Sequence, residues 1–292
     1  MIDAPSLETR SVDTPRKACV IGDPVAHSRS PIIHGYWLKE YGIDGRYLKE
    51  EVKADDFSDF IKGLAASGYC GANVTLPHKE MALQCADEVD NAARSVGAAN
   101  TLWFEGDRLI ASNTDIYGFM SHLAVSSPSW NTLDRPVAFL GAGGAARAVI
   151  RGLLDAGVTE LRIFNRTRAR AEALQAFFGD RLKVFDWDQR SSMLGECGLL
   201  INGTQLGMAG GHQLDIDLSK LPNDATVYDI VYTPLETPLL REAGRLGFTP
   251  VDGLGMLLHQ AVPGFEKWFG VRPDVSADLR QLVVDDLGAD KC

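Results

Sequence analysis

The sequence predicts an α/β fold of two domains, one of them built on a parallel sheet. Three observations carry this. At 292 residues the chain is long enough for about two domains of ordinary size. From Pro136 onward, apolar runs of strand length alternate with helical patterns, which is how parallel strands covered by helices are written in sequence. One strand-to-helix junction in that half, Gly141–Ala146, consists only of glycine and alanine.

Taken in order, Lys17–Ile21 reads as a short buried strand ending at Gly22. Ser28-Arg29-Ser30-Pro31 is a helix start, with Ser30 expected as N-cap and Pro31 at the first helical position. That helix runs to Glu40 and stops at Gly42. Arg46–Val52 is the next strand, and Asp55–Ser67 a helix with Phe57, Phe60, Ile61 and Leu64 at helical spacing. Gly71–Leu76 is a strand ended by Pro77, and Glu80–Cys85 and Val89–Val96 read as short helices. Gly106-Asp107 is a hairpin turn between strands at Thr101–Glu105 and Arg108–Ser112. Tyr117–Leu123 opens a helix, and Ser126–Arg135 is a polar connection in which Trp130 is expected to sit. Strands follow at Val137–Leu140, Glu160–Phe164, Lys183–Phe185, Leu199–Asn202, Thr226–Asp229 and Thr249–Val251, with a helix over Ala145–Ala156. Two helices close the chain, Leu254–Trp268, expected to kink at Pro263, and Val275–Leu287.

Composition narrows the function classes. Apolar residues make up 45% and charged residues 23%, ordinary for a globular protein. The net charge is −10, and a surface that acidic repels phosphate backbones and anionic membranes, so neither nucleic acid nor a membrane is expected as a partner. An anionic small molecule then needs a locally basic site. No apolar run reaches the roughly 20 residues of a membrane span, since Arg147 and Arg151 interrupt the apolar stretch Val137–Leu154. The N-terminal segment carries Asp3, Glu8 and Asp13 without an apolar run, which reads as a solvated tail rather than a targeting peptide. Five cysteines (Cys19, Cys70, Cys85, Cys197 and Cys292) are scattered without a CxxC, so neither a disulfide framework nor a metal site is expected, and the expected compartment is the cytoplasm. Monomer and homodimer both remain open.

Gly141-Ala142-Gly143-Gly144-Ala145-Ala146 matches the dinucleotide fingerprint G-x-G-x-x-G/A. Gly141 permits the tight turn, Gly143 lets the backbone approach a pyrophosphate, and Ala146 allows close helix–strand packing. The following helix offers its free N–H groups to the anion. The next strand ends in Asn165-Arg166-Thr167-Arg168-Ala169-Arg170, where an NAD site wants a carboxylate for the ribose hydroxyls. Guanidinium groups there suit a 2′-phosphate instead, so the expected cofactor is NADP. Outside that region hydroxyls and amides recur in four clusters: Ser28 and Ser30; Asn73 to Lys79; Asn100-Thr101; and Asn113-Thr114-Asp115. Singly these read as turn and cap residues; together they suit a small ligand with several hydroxyls and a carboxylate.

Seven segments then resemble the shikimate dehydrogenase family, in the family's order: GDPVAHSRSP from Gly22, GANVTLPHK from Gly71, GAANT from Gly97, NTD from Asn113, GAGGAAR from Gly141, NRT from Asn165 and DGLGMLLHQ from Asp252. They span about Cys19 to Val284. The resemblance implies a Rossmann-like NADP-binding parallel sheet, residues 115–252, inserted between the N- and C-terminal parts, 1–114 and 253–292, of an α/β substrate domain. It implies reversible NADPH-dependent reduction of 3-dehydroshikimate to shikimate, a step toward chorismate and the aromatic amino acids. Ser28 and Ser30 then bind the substrate carboxylate, with Tyr232 nearby, while Asn73, Thr75, Lys79, Asn100, Asp115 and Gln260 surround the ring. Lys79 and Asp115 match the catalytic pair. Gly141, Ala142, Gly143, Gly144, Ala145, Ala146, Asn165, Arg166, Thr167, Arg170 and Gly253 match the cofactor site.

The chain departs from the family's pattern at Gly35, where Asn is common, at Ile116, where Gly is common, and in an extra tail of about 16 residues. Ile116 follows Asp115 directly and is expected to bear on substrate fit. Lysine, with an ordinary pKa near 10.4, is a natural proton donor to a carbonyl; burial lowers that value and a carboxylate raises it, so either Lys79 or the Lys79–Asp115 pair carries the proton. The alternatives are a quinate or dual quinate/shikimate dehydrogenase, a methylenetetrahydrofolate dehydrogenase, which lacks its pterin-stacking aromatic here, and a metabolite sensor, which would have no need of Lys79 and Asp115.

Overall fold

The computed structural model describes residues 15–130 and 135–289. The tail through residue 14 and Cys292 lie outside them. The first half comprises β1 (Arg16–Gly22), α1 (Ser30–Glu40), β2 (Gly45–Glu51), α2 (Phe57–Lys62), β3 (Tyr69–Val74), α3 (Lys79–Cys85), β4 (Glu88–Val89), α4 (Asn91–Val96), β5 (Thr101–Glu105) and β6 (Arg108–Ser112). Its six strands form one mixed sheet in the order β2-β1-β3-β5-β6-β4. β1 pairs in parallel with β2 and β3, and the hairpin β5–β6 adds antiparallel to β3.

The helix α5 (Asp115–Ser126) leads to the second half: β7 (Val137–Leu140), α6 (Ala146–Asp155), β8 (Leu161–Phe164), α7 (Arg168–Phe178), β9 (Leu182–Phe185), β10 (Leu199–Asn202), β11 (Thr226–Asp229), α8 (Pro238–Arg245) and β12 (Thr249–Val251). These strands form a wholly parallel sheet in the order β12-β11-β10-β7-β8-β9. That is the doubly wound order, with its reversal between β7 and β10, where such sheets open a crevice for ligands. The chain returns through α9 (Leu254–Phe269) and ends in α10 (Ala277–Ala289), both packed on the first sheet.

Alternation along the strands explains the layers. In β7, Val137 and Phe139 face one core with Val149, Ile150 and Leu153 of α6, while Ala138 and Leu140 face another with Leu239, Leu240 and Ala243 of α8. Both faces are covered, so β7, β8, β10 and β11 are buried throughout, as parallel strands require. The first sheet repeats the scheme: Ala18 and Val20 face α1, α9 and α10, and Cys19 and Ile21 face α2, α3 and α4. α5 and α9 are the shared elements. Phe119 and Leu123 of α5 and Met256 of α9 belong to the second sheet's core, whereas Leu254, Leu258 and Phe265 of α9 belong to the first sheet's.

Several local expectations change. Arg29, not Ser30, is the N-cap of α1; Ser30 is the first helical residue and donates its N–H to Ser28 Oγ at 3.3 Å. The helix expected over 55–67 is a 3-10 turn followed by α2, which Gly63 closes. Val89 pairs with Ala111 as β4, and α4 starts behind Asp90, whose carboxylate caps Ala93 N at 2.8 Å. Trp130 lies in the connection between α5 and β7, as expected, but its side chain is buried in the core of the second sheet. α9 is one helix through Pro263. α8 was not expected, although Thr237 caps it through Leu240 N and Pro238 takes its first position.

Candidate active site

Lys79 opens α3, immediately after the last turn beyond β3. His78 pins that turn: it is fully buried, its Nε2 lies 2.6 Å from Val52 O, and its ring stacks on Phe57. The backbone of Lys79 is held as well, accepting from Ala99 N at 2.8 Å. Its ammonium donates to Asp115 Oδ2 at 2.6 Å, with the two side chains 21% and 12% exposed. The pair is therefore largely dry yet open on one side.

Asp115 begins α5 and is fixed from two directions. Its N–H donates to Asn113 Oδ1 at 3.1 Å, and its Oδ1 accepts from Asn100 Nδ2 at 2.9 Å. Asn100 is oriented in turn, since its Oδ1 accepts from Thr114 N at 2.8 Å and from the Thr101 hydroxyl at 3.0 Å. The amide of Asn73 donates to Asn100 O and Thr101 Oγ1, and its carbonyl accepts from Tyr47 Oη at 2.6 Å. Asn73 thus comes to the cluster with its polar atoms engaged inside the protein. Thr75 lies beside it, seated by Gly22: a Cβ on that glycine would meet Thr75 Cγ2 at 2.5 Å.

In the loop before α1, Ser28 Oγ donates to Ser30 Oγ at 3.2 Å. Arg29 between them pairs with Asp286 of α10 at 2.6 Å, so the last helix anchors the serine loop. Tyr232 lies near enough to Arg29 to feel its charge: burial raises its pKa, and the guanidinium pulls it back. Gln260 stands where α9 crosses α5. A Cβ on Gly118 would lie 2.6 Å from Gln260 Cβ and 2.7 Å from Met256 O, so glycine lets the helices meet one turn beyond Asp115. Ile116 packs toward α6, its Cγ2 3.4 Å from where a Gly152 Cβ would sit. Nothing lies within 4 Å of a Cβ on Gly35.

The glycine turn occupies the crevice between β7 and β10. Gly141 has φ +109°, a conformation side chains avoid, and a Cβ there would meet Gly203 O at 2.9 Å. Its N–H donates to Phe164 O at 2.7 Å. Gly143 and Gly144 are exposed, Ala142 and Ala145 half-buried, and Ala146 starts α6 packed against the sheet. At the end of β8, Asn165 Nδ2 donates to Thr167 O at 2.7 Å, and Thr167 is the N-cap of α7. Arg168 is tied to Glu172 and Asp186. Arg166 and Arg170 are exposed, with no acidic partner among the described residues. Gly253 is buried against the exit of β11, where a Cβ would meet Ile230 O at 2.2 Å. A backbone cradle free of side chains, followed by unpaired guanidinium groups where NAD sites carry a carboxylate, fits a dinucleotide with a 2′-phosphate.

Sequence reasoning missed Tyr47 and the buried trio Asn202, Asp229 and Thr237. Tyr47 meets Asn73 across β1, a register that no local pattern announces. Asp229 was read only as a strand end.

A doubly wound sheet with a glycine turn, joined to a second sheet flanked by a lysine–carboxylate pair at the starts of two helices, places the molecule among the two-domain nicotinamide-dependent oxidoreductases. Comparison with known proteins narrows this. Residues 20–102 match the shikimate dehydrogenase substrate binding domain, 124–208 the shikimate/quinate 5-dehydrogenase model and 253–283 the shikimate 5′-dehydrogenase C-terminal domain. The shikimate dehydrogenase (NADP(+)) of Brucella abortus is 51% identical over 96% of this chain and 98% of its own. Among solved structures, shikimate 5-dehydrogenase of Thermus thermophilus in complex with NADP(H) and shikimate is 35% identical, covers 92% of this chain and 98% of its own, and superposes with a TM-score of 0.81. Quinate dehydrogenase of Corynebacterium glutamicum in complex with NAD is 28% identical, covering 93% and 99%, with a TM-score of 0.86. The chain belongs to the shikimate dehydrogenase family. Among the described residues no helix is long and apolar enough to cross a membrane.

Proposed function

We propose that this chain catalyses the reversible NADPH-dependent reduction of 3-dehydroshikimate to shikimate, in the cytoplasm, as a monomer or homodimer. Residues 1–114 and 253–292 form the substrate domain and 115–252 the cofactor domain. The observation that carries the reading is the ion pair of Lys79 and Asp115 at 2.6 Å, half-enclosed and ringed by amides and hydroxyls.

Reduction requires a proton at the carbonyl oxygen, and the Lys79 ammonium donates it. Asp115 holds Nζ in place and takes part in returning the proton when the alcohol is oxidised. Asn100 fixes the Asp115 carboxylate from the other side. The hydroxyls of Ser28, Ser30 and Tyr232 take the substrate carboxylate, and Thr75, Asn100 and Gln260 face the ring hydroxyls. Asn73 acts by positioning Asn100 and Thr101. Gly141 to Ala146 hold the pyrophosphate of NADP, Asn165, Arg166, Thr167 and Arg170 clamp its 2′-phosphate, and Gly253 belongs to the same cofactor site. When bound, NADPH supplies the hydride to the carbonyl carbon. The intact Ser28–Ser30 pair favours shikimate over quinate. The test is to incubate the protein with 3-dehydroshikimate and NADPH and identify the product by chromatography: shikimate in step with NADPH loss supports the reading, and unchanged NADPH rejects it.

A further inference from the structure

The proton chemistry is covered by Lys79 and Asp115, yet a second carboxylate is built into the protein with as much care. Asp229 ends β11, beside the crevice, and is fully buried. Its Oδ1 accepts from Asn202 Nδ2 at 2.9 Å and from Val231 N at 3.0 Å, and its Oδ2 accepts from the Thr237 hydroxyl at 2.7 Å. Burial pushes its pKa up to about 6 against these donors. A carboxylate kept here at a desolvation cost satisfies three donors at once, which no apolar side chain does.

Each donor leads to a different loop. Asn202, also fully buried, accepts through Oδ1 from Thr204 N at 3.1 Å and Thr204 Oγ1 at 2.7 Å, and its amide reaches Leu206 O at 3.0 Å. It therefore shapes 203–206, the loop whose Gly203 O would lie 2.9 Å from a Cβ on Gly141 of the cofactor cradle. Val231 N sets the start of the other loop, which carries Tyr232 to within the field of Arg29, between the two serines. Thr237 closes that loop as the N-cap of α8. Just beyond the first loop, Ala209 donates its N–H to Thr233 O of the second at 3.0 Å.

We propose that Asp229 is the positioning residue that sets the cofactor loop and the substrate loop against each other, so that one carboxylate outside the reaction holds the affinity for both ligands. This rests on the function proposed above for the identity of the ligands. Asp229→Asn keeps the volume but leaves one acceptor oxygen where three donors converge. It is expected to raise the KM for shikimate and the dissociation constant for NADP together, each about five- to tenfold, roughly the net worth of one ordinary hydrogen bond, with kcat within about threefold. Thr237→Val, which removes the donor to Oδ2, moves both constants in the same direction, and Thr237→Ser, which restores the hydroxyl, recovers them. A purely structural residue would lower the active fraction and so kcat, leaving both constants unchanged. That result, or a change in only one constant, overturns the proposal, and if Asp229→Asn does not fold the Thr237 pair decides alone. NADP binding is titrated without substrate, so a wild-type protein that binds NADP but does not turn over shikimate would defeat the functional reading while still testing the role of Asp229.

Discussion

The ammonium of Lys79 is held at 2.6 Å from Asp115 while its own backbone carbonyl is bonded to Ala99 N, so removing the side chain leaves that backbone bond in place and takes away the group proposed to donate the proton. Lys79→Ala is expected to lower kcat by about 10²- to 10⁴-fold, the usual worth of a general acid–base, with a much smaller change in KM. A change in KM alone would make Lys79 a binding group. His34 illustrates a different burden. It is fully buried, its ring stacks 4.0 Å from Tyr47, and neither ring nitrogen has a hydrogen-bond partner of good geometry among the described residues. Burial lowers its pKa to about 3. A histidine held neutral in the fold destabilises it as pH falls below the unfolded value near 6.5, and the loss continues down to the folded value. At pH 5 that is about 2 kcal/mol. His34→Phe, keeping an aromatic ring among Tyr47, Phe265 and Trp268, is expected to lose about that much less stability than the wild type between pH 7 and pH 5 in urea unfolding; equal losses would show that His34 is already relieved. Which residues were legible follows the same physics. Lys79, Asp115 and Asn100 stand in compact motifs, whereas Tyr47 and Asp229 matter through partners on other strands, and register across a sheet is not written locally.

At the scale of elements, the crossing of α5 and α9 depends on Gly118 having no side chain. Gly118→Ala forces a Cβ to 2.6 Å from Gln260 Cβ and 2.7 Å from Met256 O, and part of that contact is backbone that cannot step aside. The expected loss is about 1–3 kcal/mol, larger than the gain in helix propensity, read by denaturant unfolding. An unchanged midpoint would mean that the helices slide freely. The start of α7 makes a separate claim. Arg166 and Arg170 are exposed, while Arg168 is spent on Glu172 and Asp186. Replacing Arg166 and Arg170 by Ala is expected to raise the KM for NADP at least about tenfold, a loss of roughly 1.4 kcal/mol or more, and to leave the KM for NAD nearly unchanged. Parallel losses for both cofactors would place the guanidinium groups elsewhere. The central strands of the second sheet, β7, β8, β10 and β11, were legible because each is buried on both faces and so reads as a largely apolar run. α8 was overlooked because four of its eight residues, Arg241, Glu242, Gly244 and Arg245, break the apolar pattern, and only its capping signal remained. The long helix expected after Asp55 failed at Gly63, where tight turn bonds to Asp59 and Ile61 end it.

Across the whole molecule, the two halves meet close to the glycine turn. Leu76, exposed beside Thr75, has its Cδ2 3.9 Å from where a Gly144 Cβ would lie, and Arg147 at the start of α6 donates to Val96 O at the end of α4 at 3.3 Å. These contacts flank the segments that hold Lys79, so the glycine turn and the first turn of α6 both lie against the first half beside the lysine loop. The chain order makes this arrangement: α5 carries Asp115 out of the first sheet and α9 brings Gln260 back, so both helices that join the halves also deliver side chains to the centre. The central claim, that this assembly oxidises shikimate with NADP, is tested most directly by initial rates at 340 nm with shikimate and quinate, each crossed with NADP and NAD. The account predicts rapid turnover with shikimate and NADP and far slower turnover in the other three combinations. Equal rates with quinate would contradict the role given to Ser28 and Ser30, equal rates with NAD the role given to Arg166 and Arg170, and no turnover by a folded protein the account as a whole.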